Sequence, residues 1–153
     1  MTPRFHPRFS LLPLFAFVAG ALSTHAAEEA AEDPNAPVSY FRKIRPIFQA
    51  HCQGCHQPAK ARGGYVLTDF ARLLRGGVSA EEGGIAVVPK QPDQSHLLQL
   101  ITPVDGKAEM PEKEEPLTET DITLIRRWIA EGATDDTPEN ARQRIDAEHP
   151  PIY

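Results

Sequence analysis

The only cysteines of this 153-residue chain stand three apart in Cys52-Gln53-Gly54-Cys55, and His56 follows at once. Two cysteines cannot build a disulfide framework, so the pair is a local chemical site rather than a staple for the fold. A bond between them would be strained, would close almost no loop and would stabilise little. A structural zinc ion wants four ligands, generally two such pairs, and there is no third cysteine. A thioredoxin-like dithiol should follow a strand in a βαβ unit. The segment ahead of Cys52 instead places Tyr40, Phe41, Ile44, Ile47 and Phe48 at helical spacing. The pattern that fits is the attachment signature of a c-type haem. On a helical turn the two cysteines project to one side, where their sulfurs can add across two vinyl groups, and His56 lies under the iron as its fifth ligand. A single such motif means one covalently attached haem per chain.

A bound macrocycle suits the rest of the composition. Fifteen prolines and ten glycines beside seven Phe, three Tyr and one Trp imply many turns around a thin apolar interior. Sixteen basic residues are outnumbered by 21 acidic ones, with no basic run, which excludes a polyanion-binding role and nucleic acid as a partner. Residues 1–26 carry Arg4 and Arg8, the apolar stretch Leu11 to Leu22, and then Ser23-Thr24-His25-Ala26. These are the three regions of a secretory signal peptide, with cleavage near Ala26 or Ala27. The apolar run is about 12 residues where a spanning helix needs roughly 20, and Pro13 interrupts it. The expectation is export to the periplasm or an equivalent compartment, with no stable membrane insertion after cleavage. Export and motif support each other, because thiols are joined to haem outside the cytoplasm.

The mature chain divides by pattern. Residues 27–37 are acidic, Ala-rich and without apolar periodicity, a flexible leader. The folded domain spans 38–133. Its first helix is capped by Ser39, bent or restarted by Pro46, and runs into Cys52. Between Gly63 and Pro89, three Gly-Gly pairs bracket a helical segment at Asp69 to Arg75 and two extended runs, Tyr65 to Leu67 and Ile85 to Val88. Ser95 is a plausible cap for a helix carrying Leu97, Leu98 and Ile101. Thr118 and Asp121 have capping-box spacing ahead of an Ile122, Ile125, Trp128, Ile129 stripe that ends at Gly132. Trp128 reads as core, packed on Tyr40, Phe41 and Phe48. Residues 134–153 form a tail or linker, with a weak helix from Thr137 and Pro138 to Asp146 and an extended end. Helices without alternating strands give an all-α fold with long Gly/Pro-rich loops.

The sixth iron ligand can be sought by elimination. Met110 is the only methionine besides the initiator, and its neighbours Glu109, Pro111 and Glu112 are not those of a core-filling residue. Coordination to iron explains it, since a His/Met pair is common in electron-transfer cytochromes; a partly packed loop methionine is the plainer alternative. Among other candidates, His96 lies near a helix start, His51 is tied beside Cys52, His149 sits in the tail, and Lys90 is remote. Lys60, Arg62, Arg72 and Arg75 are either solvated or paired with haem propionates. Glu109, Glu112, Glu114, Glu115 and Glu119 place negative charge around Met110, which reads either as a solvated loop or as a field steering basic redox partners.

With these residues in hand, the chain resembles the planctomycete-type cytochrome c domain, a branch of the class I c-type cytochromes. The resemblance runs from Val38 to Ala133. It rests on Ile44-Arg45-Pro46-Ile47-Phe48 ahead of Cys52 to His56, then the Gly-Gly turns, Ala86-Val87-Val88-Pro89 and Ser95-His96-Leu97-Leu98. Met110-Pro111, Leu117-Thr118 and Trp128-Ile129-Ala130-Glu131-Gly132-Ala133 continue it in order. It implies three to five helices around one haem c bound at Cys52 and Cys55, with His56 and Met110 as axial ligands. It also implies electron transfer to and from redox protein partners. Lys90 stands where the family has a glycine, and Glu112 where a second proline often follows Met-Pro. The tail resembles the linker that in larger relatives leads into a WD40-type β-propeller, leaving open a free cytochrome or a piece of a longer reading frame. The expected role is that of an exported mono-haem carrier or relay of single electrons, not an enzyme. The alternatives are a haem-based sensor or catalytic domain with an open sixth site, and a haem-bearing docking module of a larger redox assembly.

Overall fold

The first turn after the leader is built by a cap and a proline. Ser39 accepts a hydrogen bond from the Arg42 amide at 3.0 Å, and Tyr40–Ile44 then forms a wide π-type turn in which the Ile44 amide reaches back to Ser39 O at 3.3 Å. Pro46, which has no N–H to give, follows in the first turn of helix α1 (Arg45–His51), so the helix restarts there. This is a computed structural model, and it describes residue 33 and residues 35–142. The expected signal segment, most of the leader and the end of the tail lie outside the described residues.

Among the described residues four further helices follow: α2 (Phe70–Arg75), α3 (His96–Ile101), α4 (Glu119–Glu131) and α5 (Glu139–Arg142), joined by long loops with short 3₁₀ turns. Among the described residues there is no strand, only an isolated antiparallel bridge between Val104 and Lys107. The chain is helix-rich, in keeping with the all-α reading. The runs Tyr65 to Leu67 and Ile85 to Val88 are threaded through the body by a few backbone bonds, such as Val87 N to Leu74 O at 2.9 Å and Leu97 N to Ala86 O at 3.0 Å.

The core centres on Trp128 of α4. Its ring stacks on Tyr40 at 5.6 Å between centroids and meets Phe48 and Phe70 edge-on at 6.4 and 6.2 Å, while its Nε1 donates to Thr134 O at 3.0 Å. Phe41 does not join this cluster. It is half-buried beneath the Arg45 guanidinium, 4.5 Å from the ring centroid, and Phe70 takes the place expected for it. The π turn is the reason, because its extra residue rotates Tyr40 rather than Phe41 toward the core.

The capping details also differ. Thr118 Oγ1 accepts from the Asp121 amide at 3.1 Å, but the Asp side chain takes the Thr118 hydroxyl proton at 2.7 Å instead of reaching the Thr118 amide, being one methylene shorter than the usual Glu. Ser95 precedes α3 without capping it by its side chain. Its fully buried hydroxyl accepts from Val88 N at 2.9 Å and donates to Gln91 O at 3.0 Å, closing the loop that enters the helix. Gly77 lies so close to Gly63 O that any Cβ there would collide with it, which ties the 62–64 turn to the turn after α2.

The two ends of the domain are clasped together. Glu131 Oε2 accepts from Val38 N at 2.6 Å, Arg127 Nη2 donates to Ala36 O at 2.6 Å, and Asp136 Oδ1 accepts from Phe41 N at 2.8 Å. Residues 134–137, placed with the tail by sequence, therefore pack back on the body, and Thr137 is buried. The Val38 amide is the main reason the Glu131 carboxyl sits below its ordinary range. At Asp136 burial pulls upward but is outweighed by the Phe41 amide, the Ser39 hydroxyl and the Arg42 charge, and its carboxyl too is lowered. Carboxyls lowered by folding stabilise the protein above their unfolded values, near about 4, and lose that contribution as pH falls through the folded ones. The Glu131→Gln/Asp136→Asn variant should thus lose less stability than the parent between about pH 5 and 3, read by denaturant titration at each pH.

Lys90 donates its amide to Ile129 O at 2.8 Å from a left-handed backbone, φ 65°. A non-glycine residue pays about 1–2 kcal/mol for that region, partly offset by the smaller chain entropy it loses on folding. Lys90→Gly should raise the unfolding free energy by about 0.5–1 kcal/mol, measured as a shift of the urea midpoint without a change in slope.

Candidate functional site

α1 unwinds at its last carbonyls into a tight turn. Cys52 and Gln53 both donate to Phe48 O at 2.9 Å, and Cys55 and His56 both return to Cys52 O, at 3.1 and 3.0 Å. This double closure brings both sulfurs and the imidazole to one cavity, and the two cysteines form no disulfide with each other. Cys52 packs against the core, where burial, and then the Glu114 carboxylate, push its thiol up to about 12.

His56 is held from three directions. Its carbonyl accepts from Leu67 N at 2.9 Å, its Nδ1 lies 3.1 Å from Arg62 O, and the Tyr65 ring leans on the imidazole at 5.4 Å and 57°. A carbonyl oxygen only accepts, so Nδ1 carries the proton and Nε2 keeps the lone pair that a metal would use. Burial is the largest influence on the ring and holds its pKa below the ordinary histidine value, which favours the neutral form. Tyr65 is itself fixed, its hydroxyl donating to Leu73 O in α2 at 2.9 Å.

The facing wall comes from α3 and the loop after it. Leu97, Leu100 and Ile101 line it, and the Met110 amide is pinned to Leu100 O at 3.0 Å, which brings that side chain to the same space. The result is a cavity of about 310 Å³, within the size range of small-molecule sites. Cys52, Cys55, His56 and Met110 all line it, together with Tyr65, Leu67 and Leu117. Two thiols, an imidazole with a free Nε2 and a thioether, set in an apolar wall, are a donor set that fits haem c.

The remaining candidates separate clearly. His51, Arg62, Glu112 and Glu114 line the cavity. Lys60, Arg72, Arg75, Lys90, Glu109, Glu115, Glu119 and Trp128 do not, and His96 is turned to Gln99 Oε1 at 3.2 Å. His149 lies outside the described residues. Tyr65 and Leu67 are the residues that sequence reasoning missed, and their signal was in the run itself. In an extended segment alternate residues share a face, so Tyr65 and Leu67 look one way and the buried Val66 the other.

Residues 52–114 match the family model of planctomycete cytochrome C. No curated protein and no solved structure matches the chain at a significant level. The matched segment begins at the first thiol of the cavity and ends just beyond its thioether. Within it, Tyr65→Phe removes the hydroxyl that ties the ring to α2 and leaves Leu73 O without that donor; we expect a loss of about 1 kcal/mol in urea unfolding, with the fold retained by circular dichroism.

Proposed function

We propose that this chain, which carries the planctomycete cytochrome C segment at residues 52–114, is an exported mono-haem c-type cytochrome that carries or relays single electrons. At the level of the family, the match implies haem-based electron transfer rather than catalysis. The observation that carries the finer reading is the convergence of Cys52, Cys55, His56 and Met110 on one largely apolar cavity. In this reading Cys52 and Cys55 would hold the porphyrin through thioether bonds, and His56 and Met110 would supply the protein's donors to its iron. Bound there, haem c supplies an iron centre that gains and loses one electron.

The chain's own residues set the conditions for that exchange. The bond from Nδ1 to Arg62 O fixes the tautomer and plane of His56 and raises its basicity as a ligand. The Leu97, Leu100, Ile101 and Leu117 wall keeps water away and lowers the local dielectric. The Met110 thioether is a soft donor that favours the reduced metal, and its amide bond to Leu100 O holds it at the cavity.

Export through a signal peptide at 1–26 is part of the proposal, supported by the attachment motif, whose chemistry is completed outside the cytoplasm. A leader at 27–37, a cytochrome domain at 38–133 and a tail at 134–153 complete the layout. No helix among the described residues is long and apolar enough to cross a membrane. Redox proteins are the partners that this activity requires.

Absorption spectra of the purified protein test the assignment. The parent should be low-spin and six-coordinate in both oxidation states, and Met110→Ala should become high-spin and bind carbon monoxide rapidly when reduced. A variant spectrum identical to the parent removes Met110 from the iron, and haem colour lost on a denaturing gel removes the covalent link.

A further inference from the structure

Arg62 belongs to both walls of the cavity. Its backbone is part of the imidazole side, with the carbonyl at His56 Nδ1, 3.1 Å away, and the amide donating to Cys55 O at 3.2 Å. Its guanidinium goes the other way. Nη1 lies 3.3 Å from Oε2 of Glu112, two residues past Met110, and both side chains line the cavity. The other carboxylate oxygen of Glu112 lies 3.1 Å from Lys113 Nζ, a contact within the same loop.

Around Met110 the loop has few other anchors: the Met110 amide on Leu100 O, and a long bond from Glu114 N to Pro111 O at 3.4 Å. A thioether leaves its metal only when its loop moves, so a bond from that loop to the opposite wall opposes the movement. We infer that Arg62 and Glu112 form a strap across the cavity mouth and act as positioning residues that hold the Met110 loop against the His56 loop. The inference rests on the haem reading and adds to it the pair that governs exchange at the sixth position. The strap is modest by its nature. Its side chains are 56 and 51% exposed, and ion pairs of this kind weaken with salt.

The experiment is stopped-flow binding of imidazole to the ferric holoprotein, at low and at raised ionic strength. At low salt, Glu112→Gln and Arg62→Gln should each speed the displacement of Met110 by about two- to five-fold, the range that an exposed pair can supply. The double Gln variant should be no faster than either single one, and the exchanged pair Arg62→Glu/Glu112→Arg should return toward the parent rate. Added salt should speed the parent and leave the Gln variants unmoved, and Lys113→Gln, which does not reach across, should stay within the parent's range.

Single variants as slow as the parent overturn the strap, as do additive effects in the double variant or an equal acceleration in Lys113→Gln. Met110→Ala serves as the reference for the reading beneath it. If the parent takes up imidazole as fast as Met110→Ala, the axial assignment fails and the strap with it. If the parent is slower than Met110→Ala and Glu112→Gln is as slow as the parent, the strap alone fails.

Discussion

The stacking of Tyr40 on Trp128, with Phe48 and Phe70 meeting the same indole edge-on, fixes α1 against α4. The positions of Cys52 and His56 follow from that, since Cys52 hangs from Phe48 O of α1 and His56 in turn from Cys52 O. Each aromatic pair contributes about 0.5–1.5 kcal/mol beyond the area it buries, and the cluster serves as the geometric reference of the domain. From this anchor the chain leaves α1, turns through the motif and closes one wall of the cavity. The other wall is brought up by α3, whose Leu97, Leu98 and Ile101 are buried.

What holds those walls is sparse. The returning run is joined to the motif by Leu67 N on His56 O, and the thioether loop to α3 by Met110 N on Leu100 O. Neither segment has a ladder of backbone bonds. In the proposed reading the prosthetic group, tethered to the chain in both states, would complete this part of the interior by burying its apolar faces against these walls only when the chain is folded. A domain with few large apolar side chains can in this way be ordered around a cofactor instead of around its own core.

Much of this was legible in the sequence where the controlling interaction is local. Ser39 and Thr118 act as caps, Gly132 ends α4 in the left-handed region at φ 117°, and the Ile125, Trp128, Ile129 face is buried. The conflict at Lys90 was visible as a departure from glycine and corresponds to a positive φ. The misses have one cause. Whether Ser95 caps its helix or closes the preceding loop depends on where Val88 and Gln91 come to rest. Whether Phe41 or Phe70 meets the indole depends on one extra residue in a turn. The Arg62 to Glu112 contact joins residues fifty apart in the chain. No periodicity encodes such meetings, which are decided by tertiary packing. The convergence of the thiols, imidazole and thioether is of this long-range kind as well, and was approached from the sequence through residue chemistry rather than through pattern.

The bonds from Ala36, Val38 and Phe41 to Arg127, Glu131 and Asp136 have a topological consequence. They bring the point where the polypeptide enters this domain beside the point where it leaves. At 1.5 Å per helical residue, the run from Tyr40 to Cys52 puts the cavity on the order of 15 Å from that doorway. Sequence on either side of the domain therefore joins it at one place, apart from the cavity that Cys52 and His56 line.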